Sequence, residues 1–100
     1  MKFDKSRLRE GIAKIDVKRS RGSSGRSYDI TIKYADGIKL MTLGYSEDHG
    51  ERSEDTPENI GFSNLRFYAG KEGFEVTMRP DGTLKLSKKG LEGPCVQITH

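Results

Sequence analysis

A short basic segment carries the residues best suited to bind an anion. Four basic residues lie within nine positions, on a backbone that also contains two glycines and several serines. Arginine presents a planar fork of N–H donors that matches phosphate oxygens, while glycine and serine let backbone amides approach an anion closely. The segment lacks the GxxxxGK[ST] spacing of a P-loop. We therefore expect residues 19–27 to form a flexible loop that contacts a polyanion, and the basic residues concerned are Lys18, Arg19, Arg21 and Arg26.

A second basic group lies in the last third of the sequence. Lys85 stands between two leucines, so the alternation places it on the outer side of a predicted strand. If this group shares a face with the first, the protein has one extended cationic surface. The alternative is that these lysines protect a sheet edge against pairing with another sheet. The members of the group are Arg79, Lys85, Lys88 and Lys89.

The segment between the two basic regions is acidic. Residues 46–58 carry six carboxylates and one arginine, whereas residues 1–45 carry 11 basic and five acidic side chains. Opposite fields on one small surface affect association rates and the choice of partner. This pattern suggests a second class of function, a small adaptor or inhibitor of the phage or mobile-element type that blocks a larger protein, for example a nucleic-acid enzyme. The residues expected to dock are Glu47, Asp48, Glu51, Glu54 and Asp55.

The sequence contains few groups suited to catalysis. His49 stands beside carboxylates, but its spacing matches no zinc signature, and both an HExxH motif and an EF-hand pattern are absent. A small nuclease would need a pair such as His49 and His100 with a basic residue, and nothing in the spacing supports one. Cys95, in a predicted strand, is typical of a small apolar residue rather than a nucleophile. We expect a non-catalytic protein with no cofactor and no metal site, and a small nuclease is the alternative.

Length and composition restrict the class of protein further. One hundred residues, 32% of them hydrophobic, suffice for about one small domain with a modest core. The sequence has no apolar run of membrane-spanning length, no N-terminal stretch typical of a secretory signal, and a single cysteine. We expect one domain over residues 1–100, a cytoplasmic location, no membrane partner and no small-molecule substrate.

Period-two alternation predicts most of the secondary structure. A strand over 13–17 is followed, after the basic loop, by a hairpin 28–34/38–45. The Asp-Gly pair between its strands predicts a type I′ turn with positive φ at both central residues. A second Asp-Gly hairpin follows around residues 80–82, and a last strand is expected over 95–99. The two hairpins resemble each other in sequence, which the shared turn chemistry explains without duplication.

Helices are expected at two places. The run Thr56-Pro57-Glu58 is typical of a helix start, and Gly70 of a helix end, although the apolar residues between them form no clear stripe. Leu65, Phe67 and Ala69 also alternate as a strand would, so a strand is the alternative for residues 56–70. Asp4 or Ser6 can cap a shorter helix near the N-terminus. With about six short strands, the fold class is α+β dominated by an antiparallel sheet, and the alternative is a small all-β barrel.

Two functions therefore stand open on the sequence alone. The first is a binding protein that recognises RNA or DNA through the Arg/Gly/Ser loop over residues 19–27. The second is the protein-docking adaptor or inhibitor, which would use the acidic segment 46–58. The partner is accordingly a nucleic acid or a larger protein, and the sequence leaves the oligomeric state open.

Overall fold

The computed structural model describes residues 2–19, 26–47 and 56–89. These ranges contain six strands, one turn of 3-10 helix and one α-helix. In chain order they are β1 (Lys2–Phe3), the 3-10 turn (Lys5–Arg7), β2 (Gly11–Arg19), β3 (Arg26–Tyr34), β4 (Lys39–Glu47), α1 (Pro57–Lys71), β5 (Phe74–Met78) and β6 (Leu84–Lys88).

The six strands form one antiparallel sheet in the order β1-β4-β3-β2-β6-β5. The sheet curls into a half-barrel with the helix α1 packed against one of its faces, which confirms the α+β class and the dominance of the sheet. Strands β1 and β5 lie at opposite ends of the strand order, so the described part of the sheet is open rather than a closed barrel. The strand predicted over 95–99 lies outside the described residues, and β1 is a strand that the sequence analysis did not predict.

The helix α1 begins where the sequence predicts and ends slightly later. The Oγ1 atom of Thr56 accepts a hydrogen bond from the backbone N–H of Asn59 at 3.1 Å, and Pro57 occupies the first turn. The prediction that Gly70 ends the helix is wrong. The helix continues to Lys71, and the left-handed backbone that follows a helix is found at Gly73, with φ of 85°.

The core lies between the helix and the sheet. The helix buries three residues spaced by four, Gly61, Leu65 and Ala69. A Cβ atom on Gly61 would lie only 2.9 Å from Cγ2 of Ile30, so the absence of a side chain lets the helix approach β3 closely. Because two of the three buried helical residues are small, the helix shows no strong apolar stripe in the sequence.

Both hairpins use the same three-residue turn, and it is not the predicted type I′. Gly37 and Gly82 each have φ of 89°, while no residue other than glycine has positive φ among the described residues. In the second hairpin, Gly82 donates its N–H to the carbonyl of Arg79, and Arg79 donates to Thr83. This is a type I turn followed by a left-handed glycine, the usual three-residue hairpin loop. Pro80 suits it, because proline favours the second position of a type I turn.

A bulge in β4 changes which residues of that strand enter the core. The pairing moves from Ile32↔Met41 to Lys33↔Lys39, so Leu40 is an extra residue on β4. Leu40 and Met41 are consecutive, yet each is only 1% exposed. Strict alternation would turn one of them to solvent. After the bulge, Lys39 lies on the same side of the sheet as Lys33.

The predicted N-terminal helix is only the 3-10 turn. Asp4 caps it, since its Oδ1 accepts from the backbone N–H of Ser6 at 3.0 Å. The chain is already in β2 at Gly11, so no longer helix can form there.

Candidate functional site

The face of the sheet opposite the helix is rich in lysine. On each strand the residues that alternate with the core residues turn to this side. Three carboxylates, Asp16, Asp29 and Glu75, share the face with the lysines by the same alternation. We call this surface the lysine face, and its lysines are Lys2, Lys14, Lys18, Lys33, Lys39 and Lys85.

Three of these lysines form a row across neighbouring strands. Lys14 on β2 lies directly opposite Lys33 on β3, and Lys33 lies opposite Lys39 on β4. Strands are about 4.8 Å apart, so the row places three positive charges within about 10 Å. One carboxylate reaches the row, because Asp16 Oδ2 lies 3.7 Å from the Nζ atom of Lys33. Like charges directly opposite each other destabilise a sheet, so this arrangement has a cost in the isolated protein.

Protection of a sheet edge does not explain the central lysine of this row. The strands that carry it, β2, β3 and β4, each have a neighbour on both sides in the strand order. Lysines that prevent aggregation are placed on edge strands, where unpaired N–H and C=O groups are exposed. The pairing of β2 with β6 ends at Ala13, one residue before Lys14. The pairing of β1 with β4 covers Met41 and Thr42 and does not reach Lys39. Lys33 is paired on both sides, so its role must be sought on the face and not at an edge.

The predicted basic loop is only partly within the described residues. Lys18 and Arg19 follow each other at the end of β2, so the alternation turns Lys18 to the lysine face and Arg19 to the opposite side. Arg26 begins β3, where its backbone pairs with that of Glu47. Arg21 lies outside the described residues. The two ends of the loop segment are thus attached at the same end of the sheet, next to Lys18.

The second predicted basic group is divided between the two sides of the sheet. Lys85 pairs with Ile12 and Thr77 and is part of the lysine face, and Arg79 continues the alternation at the end of β5. Lys88 pairs with Phe74 on the helix side, and its Nζ lies 5.6 Å from the centre of that ring. The Lys89 Nζ lies near the C-terminal end of the helix, 3.9 Å from where a Cβ on Gly70 would stand. The four residues therefore do not form one cluster.

An open groove of about 940 Å³ lies at the β1 end of the lysine face. Its polar lining comes from Lys2 and Lys39, which belong to the face, and from Arg7 and Asp4. Asp4 is held by its neighbours: its Oδ1 accepts from the hydroxyl of Ser6 at 2.5 Å, and its Oδ2 accepts from Nε of Arg7 at 3.2 Å. The side-chain and backbone hydrogen bonds from Ser6 hold the pKa of Asp4 below its ordinary value, so this carboxylate stays ionised. The groove is therefore lined by three cations and one acid that is already bonded.

An aromatic cluster borders the same groove. Phe3 lines the groove and stacks on Tyr68 of the helix, with ring centres 5.5 Å apart. Phe67 meets Tyr68 edge to face at 5.1 Å, and it is 58% exposed. The Nζ atom of Lys71 lies 4.4 Å from the centre of the Phe67 ring. Aromatic surface and cationic side chains thus meet at this end of the sheet.

Several predicted residues fall outside the described ranges. Of the five residues expected to dock, only Glu47 lies within the described ranges, where its backbone ends β4. His49, Cys95 and His100 lie outside them. Within the described ranges, no cluster of three or more histidine, cysteine, aspartate or glutamate residues is arranged to hold a metal ion. The predicted docking residues not described are Asp48, Glu51, Glu54 and Asp55.

Comparison with known proteins gives no further indication of function. No family model, no curated protein and no solved structure matches the chain significantly. Among the described residues, no helix has the length and apolar character needed to cross a bilayer.

The sequence analysis missed four lysines of the lysine face. Each occupies a polar position in an alternating run or beside one, so sequence shows only that it is exposed. The signal that was available is the Asp-Gly turn, which places the residues before and after it opposite each other. The hairpin places Lys33 opposite Lys39, but the positions of Lys2 and Lys14 depend on the pairing of β1 and β2 with this hairpin. The four missed residues are Lys2, Lys14, Lys33 and Lys39.

Proposed function

We propose that this protein is a non-catalytic nucleic-acid-binding protein whose lysine face contacts the phosphate backbone. The observation that carries the proposal is the row of Lys14, Lys33 and Lys39 on adjacent interior strands. Mutual repulsion makes the row unfavourable in the isolated sheet. A polyanion placed over the row removes that repulsion and replaces it with attraction, which is the physical basis of backbone binding.

The side chains of the face favour recognition of charge over recognition of sequence. Lysine carries a compact, strongly hydrated point charge on a flexible stem, which suits phosphate oxygens and does not read base edges in a fixed geometry. Thr31 and Thr42 lie between the lysines and supply hydroxyl groups that donate to phosphate as well. Binding is therefore expected to depend weakly on sequence and strongly on salt.

The Arg/Gly/Ser segment fits the same proposal. β2 ends at Arg19 and β3 begins at Arg26, so both attachment points of the segment lie beside Lys18 at one end of the lysine face. A strand of nucleic acid that follows the face in the direction of β2 reaches the start of this segment. The segment then supplies further basic contacts at that end.

The test is a binding titration with charge-matched variants. One variant combines Lys14→Ala, Lys33→Ala and Lys39→Ala, and the control combines Lys71→Ala, Lys88→Ala and Lys89→Ala on the helix side. Affinity for a fluorescent single strand and for a duplex of the same sequence is measured by anisotropy from low to physiological salt. The lysine-face variant is expected to bind more weakly, and its plot of log K against log salt to be less steep by about 2–3, since up to three phosphate contacts are lost.

The control variant removes the same net charge and should retain most of the affinity and the slope. Equal losses in the two variants would show that net charge alone attracts the nucleic acid and would overturn the assignment of the face. Failure of the unmodified protein to bind either nucleic acid would overturn the function itself. In that case a pulldown with nuclease treatment tests the protein-docking hypothesis, and the acidic segment 46–58 becomes the region to change.

A further inference from the structure

The groove at the β1 end of the lysine face combines charge with apolar surface. Its volume, about 940 Å³, lies at the upper end of the range of about 300–1,000 Å³ typical of small-molecule sites. Lys2 and Lys39 line it from the lysine face, and Phe3, Leu40 and Met41 also line it. A phosphate backbone that follows the lysine face therefore reaches, at this end, a concave surface with both cationic and apolar groups.

The two-residue strand β1 brings the two kinds of surface together. Lys2 pairs with Thr42 and turns to the lysine face, whereas Phe3 pairs with Met41 and turns to the other side. Tyr68 stacks against Phe3 at 5.5 Å and holds the ring in place at the edge of the sheet. The phenyl ring thus lies within one residue of a lysine of the face.

Asp4 restrains the side chain of Arg7, which lines the groove. Its Nε donates to Asp4 Oδ2 at 3.2 Å, which occupies one of the five N–H donors of the guanidinium group. The remaining donors belong to the terminal nitrogens, and Arg7 lines the groove. Asp4 is therefore a positioning residue that limits the rotation of Arg7, and Arg7 is a contact residue for phosphate.

We infer that the groove takes an unpaired base together with its phosphate, so that the substrate class is single-stranded nucleic acid. The inference rests on the proposed function, because it assumes that the backbone lies on the lysine face. The base lies against the ring of Phe3, and Lys2, Arg7 and Lys39 surround the phosphate. In a duplex the faces of the bases are stacked on one another within the helix, so no base face is free to stack on Phe3. Stacking on an aromatic side chain is tolerant of base identity, which agrees with backbone recognition on the face.

The experiment uses the absence of tryptophan from the chain. Phe3→Trp introduces a single fluorophore at the groove, and its emission is recorded on addition of a single strand and of the matching duplex. The expected result is quenching by the single strand, because a base stacks on the indole, and little change with the duplex. Phe67→Trp is the matched control, since its ring lies in the same aromatic cluster but does not line the groove, and its emission should respond to neither.

Affinity measurements complete the test. Phe3→Leu keeps an apolar side chain and is expected to lower single-strand affinity at least about fivefold while leaving duplex affinity unchanged. Phe67→Leu should change neither. Circular dichroism and thermal unfolding are compared for each variant, and Arg7→Ala, on an exposed side chain, gives a second measure of single-strand affinity that does not depend on packing at Phe3.

The outcomes separate the two proposals. Equal affinity of the unmodified protein for single strand and duplex, with no effect of Phe3→Leu or Arg7→Ala, would overturn the inference. The proposed function would still stand if the lysine-face variant bound nucleic acid more weakly than the unmodified protein. Quenching of both tryptophans to the same extent would also overturn it, because the base would not be located in the groove. Absence of binding to any nucleic acid overturns the proposed function and the inference together.

Discussion

The two faces of the sheet are built from the same strands and have opposite chemistry. On the helix side, residues such as Ile30 and Ile32 are completely buried beneath or beside α1. On the other side, the residues in between include Lys33, whose side chain is 42% exposed and which lies opposite two other lysines. One face lowers the free energy of the folded state by burying apolar surface, and the other raises it by bringing like charges together. The burial of apolar side chains on the helix side stabilises the fold, whereas the opposed lysines do not, and this difference is the reason for proposing that the lysine face binds a partner.

The largest effect is expected on the helix side. Leu65→Ala removes a fully buried side chain from the centre of the helix–sheet contact and should lower the free energy of unfolding by about 2–5 kcal/mol. Arg66→Ala, at the exposed neighbouring position, should change it by no more than about 0.5 kcal/mol. Urea unfolding followed by circular dichroism measures both. A similar cost for the two variants would contradict the assignment of this side as the folding face.

The next effect distinguishes two glycines of the same helix. Gly61→Ala places a methyl group 2.9 Å from Cγ2 of the buried Ile30, so overpacking should destabilise the protein by about 1–3 kcal/mol despite the better helix propensity of alanine. At Gly70 the nearest group is the flexible end of Lys89 at 3.9 Å. Gly70→Ala should therefore stabilise by up to about 1 kcal/mol. Thermal unfolding of the two variants should shift in opposite directions, and a rise for Gly61→Ala would disprove the close contact.

A third effect concerns Tyr34, a buried residue at the end of β3. Its hydroxyl accepts a hydrogen bond from the backbone N–H of Arg9 at 2.7 Å and donates to the carbonyl of Arg9 at 3.2 Å. Tyr34→Phe leaves both backbone groups without this partner and should cost about 1 kcal/mol. Denaturant titrations at neutral pH, with Tyr28→Phe as the comparison, measure the cost. No difference between the two variants would mean that the hydroxyl of Tyr34 contributes nothing.

The same residue predicts a pH dependence. Burial raises the pKa of Tyr34 above its ordinary value of 10.0, although the contacts with Arg9 oppose the shift. The unfolded chain then loses this proton at a lower pH than the folded protein does. The contribution of the neutral tyrosine is complete below pH 10.0 and is lost as pH rises through the higher pKa of the folded state. The difference in stability between the unmodified protein and Tyr34→Phe should therefore shrink above that pH, and a constant difference would contradict the shift.

The smallest effect tests the lysine face directly. Lys14→Thr removes one of three opposed charges and introduces a residue that favours strands, so stability should rise by about 0.2–1 kcal/mol at low salt. Lys85→Thr is the control, because Lys85 lies opposite Ile12 and Thr77 and has no directly opposed cation. The gain at Lys14 should decrease as salt screens the repulsion. A loss of stability in Lys14→Thr would show that the lysine has a structural role and would weaken the case for a binding face.

Local signals allowed much of the fold to be predicted. The alternating runs gave five of the strands described here, and the Asp-Gly pairs gave both hairpins, because turn chemistry acts over only a few residues. The start of α1 followed from Thr56 and Pro57 in the same way. The predicted turn type was wrong, since Asp36 and Asp81 have negative φ and only the glycines that follow them are left-handed. The observed loop of three residues, a type I turn followed by a left-handed glycine, has almost the same sequence signature as a type I′ turn.

The candidate site was much less predictable. Lys18, which was assigned to the basic loop, and Lys85 lie on the lysine face, whereas Arg19 and Lys88 lie on the other side of the sheet. The side that a residue faces follows from the alternation along its strand, so its prediction requires the strand boundaries. The predicted strand over 13–17 ended two residues before the end of β2 at Arg19. Lys39 depends on the bulge at Leu40, which has no local signal of its own.

Local sequence patterns predict five of the six described strands, the helix α1 and the polarity of most strand positions, because these depend on side chains that are neighbours in the chain. Tertiary structure alone decided that α1 packs against β3 at Gly61, that β6 pairs with β2, and that lysines from three strands form one row. Those features depend on pairing register and strand order between residues far apart in sequence. The free energy of such pairing comes from the whole sheet and its shared core, so no single segment of the sequence contains it.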